Sequence, residues 1–179
     1  MKVNRAINDE IFLFKHNFFK DKRGVFSEIY LKNILKHNLS SNFNIVQENI
    51  VKSKKNVLRG MHFQIQPYEQ SKFITVIDGK ILDVIIDIRK DSTTFSNIYS
   101  FELTDQNSLF IPKGFAHGYL TLSKSSTIIY KVDNVYDKNS ERGFNPLDKK
   151  IKINWGVSKK KVIIHKRDED YPDFNELKL

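Results

Sequence analysis

A succession of short strand-like segments constrains the fold of this chain most. Ten stretches of five to ten residues are rich in β-branched and aromatic residues, and polar turn residues separate them at intervals of roughly 10 residues. Strands so short and so numerous predict an all-β sandwich or barrel, of which a jelly roll is one form. The stretches are IFLFKHNFF, GVFSEIY, FNIVQENIV, VLRGMHFQ, KFITVI, KILDVIIDI, NIYSFELT, SLFIP, HGYLTLS and STIIYKVDNV.

Two local signals refine this prediction. The stretch LKNILKHN, residues 31–38, is the best candidate for a short helix. Asp78-Gly79 lies between two strand stretches and predicts a β-hairpin, because a type I′ turn needs positive φ at both central positions. No linker, low-complexity tract or internal repeat interrupts the pattern, so we expect one domain over residues 1–179.

The formal net charge of +9 is compatible with nucleic acid, an anionic membrane surface or a phosphorylated ligand. The lysine runs at residues 54–55, 149–150 and 159–161 lack the interleaved aromatic residues typical of nucleic-acid binding, so we interpret them as solvated surface. The chain has no cysteine, which excludes disulfides and thiolate chemistry and fits a reducing compartment. No apolar run approaches the roughly 20 residues that span a bilayer, so we expect no membrane association and a cytoplasmic location.

The stretch VLRGMHFQ, residues 57–64, carries Arg59, His62 and Gln64 in a strand otherwise suited to a core. Lys72 follows shortly after it. Alternation along a strand places Arg59 and His62 on opposite faces, but Gly60 between them permits a bulge that would change this parity. The sequence therefore allows both side chains to converge on one pocket, but alternation alone does not place them there.

A second stretch, residues 112–117, has the Pro-x-Gly-x-x-His spacing that resembles the second motif of the cupin superfamily of jelly rolls. The His-x-His pair of the first cupin motif is here His62-Phe63-Gln64. A transition metal in such a site needs about three or four nitrogen and oxygen ligands. Because Gln64 replaces one imidazole and Lys72 would repel a cation, we expect an organic ligand and no metal. His62 and His117 are then free for proton transfer or hydrogen bonding.

Several ordered segments are specific enough to indicate one family. They are DKRGVFSEIY, VQENIVKSKKNVLRGMHFQ, SKFITVIDGKILDVIIDIRKDSTTF, LFIPKGFAHGYLTLS, IIYKVDNVYD, SERG and INW. Together they resemble the dTDP-4-dehydrorhamnose 3,5-epimerase family of cupins, from about Phe14 to about Pro172. The resemblance implies a cupin-type jelly roll with a few short helices. It also implies a homodimeric isomerase without a cofactor that inverts C3 and C5 of a nucleoside-diphosphate-linked 4-keto-6-deoxy sugar through an enolate.

The resemblance gives four residues a role in the chemistry. His62 matches the general base, and Asp168 matches the carboxylate that orients its imidazole. Tyr130 matches the acid on the other face of the sugar. A phenol suits this role, because its ordinary pKa near 10 keeps it protonated at neutral pH. Lys72 matches the cation that stabilises the enolate oxygen.

Nine further residues match positions that contact the substrate, and three of them reach the nucleotide, often from the partner subunit. The first six are Gln47, Asn49, Arg59, His117, Glu141 and Arg167, and the three that reach the nucleotide are Arg23, Phe26 and Glu28. Asp83 and Asp87 lie four residues apart on one strand face. We interpret them as a buried polar network around Lys72 and His117 without a catalytic role.

Several alternatives remain open at this point. The enzyme could act at C3 only, or its substrate could be a GDP-linked 6-deoxy-4-keto-heptose rather than a dTDP-linked hexose. The related ketoisomerases share the fold, but RGMHFQ with a downstream Tyr and Asp favours epimerisation. A non-enzymatic jelly roll that binds sugar or nucleic acid is a further reading, and a metal-dependent cupin another. Products of the favoured reaction usually enter surface polysaccharide such as capsule or lipopolysaccharide.

Overall fold

The computed structural model describes residues 1–39 and 43–177, in which the chain forms fourteen strands and only short helical segments. The strands are β1 Lys2–Ile7, β2 Ile11–Lys15, β3 Phe18–Asp21, β4 Gly24–Ser27, β5 Gln47–Lys54, β6 Val57–Gln64, β7 Lys72–Asp78, β8 Lys80–Asp87, β9 Ile98–Thr104, β10 Asn107–Ile111, β11 Phe115–Thr121, β12 Ser125–Val132, β13 Glu141–Gly143 and β14 Ile163–Ile164. The helices are α1 Lys32–Asn38 and α2 Lys166–Glu169, with single 3-10 turns at Lys159–Lys161 and Phe174–Glu176.

Twelve of these strands build two facing sheets. The first sheet has the order β1-β2-β10-β7-β12-β5, and the second has the order β13-β6-β11-β8-β9, with β14 added parallel to β6. The pairs within each order are antiparallel, and β3 and β4 form a separate two-stranded hairpin. This is a cupin-type jelly roll, so the predicted all-β fold class is confirmed. None of the helices in the described ranges is long and apolar enough to cross a membrane.

Aliphatic side chains from both sheets fill the space between them. Ile74 and Val76 of β7 pack in one cluster with Ile81 and Ile85 of β8 and Leu103 of β9. Each of these side chains is at most 1% exposed. The alternation of β-strands supplies this face, because every second residue points into the sandwich.

Parts of the outer faces of both sheets are also covered, which explains the long apolar runs in the sequence. Helix α1 packs over the first sheet, where Phe14 and Phe73 lie in a cluster rich in phenylalanine. The C-terminal segment, residues 144–177, covers the second sheet. Its Phe144 and Trp155 are buried against the outward residues of β8, such as Val84. Beyond Lys80, strand β8 is largely buried on both faces, so it reads as continuously apolar apart from that lysine and its two aspartates.

The predicted helix is confirmed, but the predicted hairpin at Asp78-Gly79 is wrong. Gly79 has a φ of +84°, as a tight turn requires. However, β7 and β8 do not pair with each other: β7 pairs with β10 and β12, whereas β8 pairs with β9 and β11. The turn therefore carries the chain from one sheet to the other. Turn chemistry specifies a reversal of the chain and leaves the pairing to the packing of the sheets.

Candidate active site

A cavity of about 890 Å³ lies between the two sheets and collects most of the predicted site residues. The first sheet contributes side chains from β5, β7 and β12, and the second contributes side chains from β6, β11 and β13, with α2 at the rim. The predicted residues that line it are Gln47, Asn49, Arg59, His62, Lys72, His117, Tyr130, Glu141, Arg167 and Asp168.

A bulge in β6 brings Arg59 and His62 to the same cavity. Arg59 pairs with Tyr119 and His62 pairs with His117, so β6 advances three residues where β11 advances two. The extra residue shifts the alternation by one position, and the two polar side chains no longer oppose each other. Gly60, at φ +124°, lies inside this bulge, which the sequence had left open.

Substitution of Gly60 tests the bulge. A Cβ at this position would lie 2.5 Å from Cα of Gly118, and the backbone φ is unfavourable for any other residue. We expect Gly60→Ala to lower the free energy of unfolding by about 3–4 kcal/mol, measured by urea denaturation. Gly156→Ala is the matched control, because Gly156 also has positive φ but nothing within 4 Å, so it should cost only about 1–2 kcal/mol. Equal costs would contradict the role of close packing in the bulge.

His62 is held by a buried carboxylate from the C-terminal segment. Its Nε2 lies 2.9 Å from Oδ1 of Asp168, and the backbone N–H of Gly60 donates to Oδ2 at 3.2 Å. Burial acts to raise the pKa of Asp168, but these hydrogen bonds and the charge of Arg167 hold it below its ordinary value. Because an ionised carboxylate only accepts hydrogen bonds, Nε2 carries the proton and Nδ1 is left as the basic nitrogen. The ring of Tyr171 packs edge-on against the imidazole, and the centroids of the two rings are 5.8 Å apart.

His117 forms a second imidazole–carboxylate pair directly across from His62. Its Nε2 lies 2.8 Å from Oδ2 of Asp83, which is fully buried. The expected polar network around His117 is therefore confirmed for Asp83, but it is wrong for Asp87. The carboxylate of Asp87 binds Arg89, Ser92 and Thr94 in the loop after β8, because Asp87 lies at the end of its strand.

Lys72 contributes a cation to the lining of the cavity. Burial lowers its pKa to about 8, although Asp83 and Glu141 attract its charge and oppose this effect. Oδ1 of Asp83 is buried without a hydrogen-bond partner among the described residues. No described residue accepts a hydrogen bond from Nζ of Lys72, so its N–H groups are available to an anionic oxygen in the cavity.

Tyr130 faces the cavity from the first sheet, opposite the wall that carries His62. Burial is the main cause that raises the pKa of its phenol, and the negative charge of Glu141 adds to it, while Arg59 opposes the rise. The phenol therefore remains protonated at neutral pH. At the rim, Glu141 Oε2 accepts hydrogen bonds from Arg167 at 2.9 Å and from Tyr136 at 3.1 Å.

Gln64, at the position of the second cupin histidine, uses its amide for structure. Nε2 donates to the carbonyl oxygens of Tyr68 and Val135, and Oε1 accepts from the backbone N–H of Asp137 at 2.7 Å. These bonds tie the loop after β6 to the segment after β12 at the cavity rim. Within the described part of the chain, no group of three or more His, Asp or Glu side chains is placed to hold a metal ion.

Three predicted contact residues lie on or beside the β3–β4 hairpin and outside this cavity. Arg23 pairs with Asp21 at the turn, and with Phe26 it lines a separate open hollow of about 510 Å³. Phe26 is 64% exposed, and the neighbouring Phe19 is 55% exposed. Glu28 follows directly after β4. Their predicted contact with the nucleotide stays a prediction.

The structure adds residues that sequence reasoning did not assign to the site, among them Ser53, Tyr119, Tyr136 and Tyr171. Alternation was a usable signal for two of them: Tyr119 shares the strand face of His117, and Ser53 shares that of Asn49. Tyr136 and Tyr171 follow strand β12 and helix α2 in irregular segments, where no periodicity indicates which way a side chain points.

Comparison with known proteins places this cavity in a family. A family model described as dTDP-4-dehydrorhamnose 3,5-epimerase matches residues 6–176. The chain belongs to this family. Family membership confirms the predicted enzyme class, a nucleotide-sugar epimerase, and does not favour the ketoisomerase or non-enzymatic readings.

Three relatives illustrate how close the family match is. A dTDP-4-dehydrorhamnose 3,5-epimerase of Shigella flexneri is 38% identical over 159 residues, which cover 88% of each chain. The crystal structure of the Bacillus anthracis enzyme with TDP and PPi bound is 37% identical, covers 97% of this chain and 99% of its own, and has a TM-score of 0.89. A Legionella pneumophila epimerase in complex with dTDP-4-keto-L-rhamnose is 30% identical, covers 98% and 93%, and has a TM-score of 0.90.

Proposed function

We propose that this protein inverts C3 and C5 of a dTDP-linked 4-keto-6-deoxy sugar by proton exchange. The observation that carries the proposal is the placement of a carboxylate-held imidazole and a protonated phenol on opposite walls of one cavity. Epimerisation needs a base on one face of the sugar and an acid on the other. His62 and Tyr130 meet that requirement.

The chemistry follows from the acidity of hydrogens next to a ketone. Nδ1 of His62 removes the proton from C3, and the electron pair of the C–H bond moves into the ring to give an enolate whose charge lies on the C4 oxygen. The ammonium of Lys72 stabilises this charge. Tyr130 then donates its phenolic proton to the opposite face, and the ketone re-forms with C3 inverted. The same exchange at C5 completes the reaction, after His62 releases its proton and Tyr130 regains one from solvent.

Substrate binding uses the remaining polar residues of the cavity. Arg59 suits the pyrophosphate, because a guanidinium offers a planar pair of donors to phosphate oxygens. We assign Gln47, Asn49, His117, Glu141 and Arg167 to contacts with the sugar and the nucleotide. The relatives described above are named for dTDP sugars, which favours dTDP over a GDP-linked heptose.

The proposal includes a homodimer in the cytoplasm, built from one domain per chain. The β3–β4 hairpin exposes Phe19, Val25 and Phe26, an apolar surface that a second copy would cover. Arg23 at the turn and Glu28 after the hairpin would then reach the nucleotide in the partner's cavity. Sedimentation would show a dimer, and Phe26→Asp would weaken both the dimer and the binding of dTDP. A monomer with full dTDP affinity would contradict this part of the proposal.

Turnover of two substrates tests the proposal. We expect epimerisation of dTDP-4-keto-6-deoxyglucose with a kcat/KM at least about 100-fold above that for a GDP-linked 4-keto-6-deoxy-heptose. The reverse order would assign the enzyme to the heptose substrate. Inversion at C3 without inversion at C5 would identify a single-centre epimerase.

The depressed pKa of Lys72 predicts a loss of activity in mild alkali. Lys72 is a cation below its pKa of about 8 and neutral above it, so kcat/KM should fall as the pH rises through about 8. In Lys72→Met, activity should be about 10²- to 10³-fold lower, and this alkaline limb should be absent. A pH profile measured from 6 to about 10 checks both points. The persistence of the same limb in Lys72→Met would contradict the assignment.

A further inference from the structure

Arg59 is anchored by a buried serine that bridges the two sheets. Oγ of Ser53, on β5 of the first sheet, accepts a hydrogen bond from Nε of Arg59 at 3.2 Å. The same oxygen lies 3.1 Å from the hydroxyl of Tyr119, on β11 of the second sheet. Ser53 and Tyr119 are each only 7% exposed. The three side chains thus form one chain of hydrogen bonds within the cavity wall, because Arg59 and Tyr119 both line the cavity.

The hydrogen bond to Ser53 holds Nε of the Arg59 guanidinium and leaves its two terminal nitrogens for a ligand. With Nε bound to Ser53, no described residue accepts a hydrogen bond from the two terminal nitrogens of Arg59. These two nitrogens form the edge that recognises phosphate oxygens in pairs. An arginine that is otherwise free loses considerable rotamer entropy when it binds a ligand, and an anchor at Nε reduces that loss.

We infer that Ser53, held in turn by Tyr119, is a positioning residue that sets the Arg59 guanidinium for the pyrophosphate of the substrate. The inference rests on the proposed function, because it takes a nucleoside diphosphate as the ligand of Arg59. Ser53 itself does not touch the substrate. It affects binding through Arg59, so its removal should raise KM and leave kcat nearly unchanged.

A matched pair of variants separates this role from a general loss of packing. Ser53→Ala should weaken the binding of dTDP and of inorganic pyrophosphate about 10-fold in calorimetry, because a hydrogen bond to a charged group is lost. Ser126→Ala is the control: Ser126 pairs directly with Ser53 across β12 and β5, is 1% exposed, and bonds Thr121 at 2.9 Å. It loses the same kind of buried hydroxyl pair, but it should leave both affinities and KM unchanged.

The decisive comparison is between the Arg59→Ala variant and the double variant that also carries Ser53→Ala. In Arg59→Ala, the further change Ser53→Ala should alter dTDP affinity by less than about 2-fold, because the group through which Ser53 acts is gone. An additional 10-fold loss in that background would overturn the inference, since Ser53 would then act independently of Arg59. Unchanged affinity in the single Ser53→Ala variant would overturn it as well.

The same titrations distinguish failure of this inference from failure of the proposed function. If wild-type protein binds neither dTDP nor pyrophosphate, the nucleotide-sugar assignment fails and the inference fails with it. If wild-type protein binds both ligands and Ser53→Ala binds them equally well, only the inference about Ser53 fails. Ser53→Thr retains a hydroxyl and should restore most of the affinity lost in Ser53→Ala.

Discussion

Replacement of His62 by Asn is expected to lower kcat/KM for the 4-keto sugar nucleotide about 10³- to 10⁴-fold. The amide of Asn can still donate to Asp168, so the local fold should be retained, but no basic nitrogen remains to remove the proton from C3 or C5. Binding of dTDP should stay within about 3-fold of wild type, because the proposed role of His62 is at the sugar and not at the phosphates. Steady-state kinetics with calorimetry of dTDP measures both quantities.

Two companion variants give this result its meaning. Asp168→Asn should cost about 10²- to 10³-fold, because a neutral amide no longer holds the imidazole in the tautomer that leaves Nδ1 basic. His37→Asn, on the exposed side of α1, should leave the kinetics unchanged. Retention of more than a tenth of the activity in His62→Asn would show that another group removes the proton.

Tyr130→Phe is expected to separate proton removal from inversion. The ring remains and preserves packing, but no acid is left on the wall of the first sheet, so formation of the inverted sugar should fall about 10²- to 10³-fold. His62 can still remove the C3 proton and return a solvent hydron to the same face. We therefore expect measurable uptake of deuterium into substrate whose configuration is unchanged, observed by NMR in D₂O.

Tyr99→Phe is the control for this experiment. Its hydroxyl accepts a hydrogen bond from Asn8 at 3.3 Å, and the residue lies on β9, outside the strands that line the cavity. Both exchange and inversion should match wild type in this variant. Full inversion by Tyr130→Phe would contradict the assignment of the acid, and equal loss of exchange and inversion would show that Tyr130 also contributes to enolate formation.

Much of the secondary structure could be predicted from local sequence patterns. The stretch VLRGMHFQ corresponds to β6 residue for residue, and LKNILKHN contains α1, because alternation and helical spacing are properties of neighbouring residues. Strand β1 was not predicted, since KVNRAI is short and half polar, as suits an edge strand. The partners of β7 and β8 depend on contacts between sheets, which a turn motif does not encode.

The prediction of the site residues depended more on the family resemblance than on local sequence patterns. His62 and Asp168 are 106 residues apart in sequence and meet only because the C-terminal segment folds back over β6. Nothing in the spacing of HKRDEDYP indicates a buried carboxylate. By contrast, Gly60 between Arg59 and His62 was read as permitting a bulge, and the structure has one there, which brings both side chains to one pocket.

Uptake of solvent deuterium tests the central claim most directly. Wild-type protein is incubated in D₂O with dTDP-4-keto-6-deoxyglucose, and the C–H signals and mass of the sugar are followed, with His62→Asn alongside. The proposed mechanism predicts one deuterium at C3 and one at C5 in the inverted product, and neither with His62→Asn. An absence of deuterium at both carbons in wild-type protein, or equal uptake with His62→Asn, would contradict it.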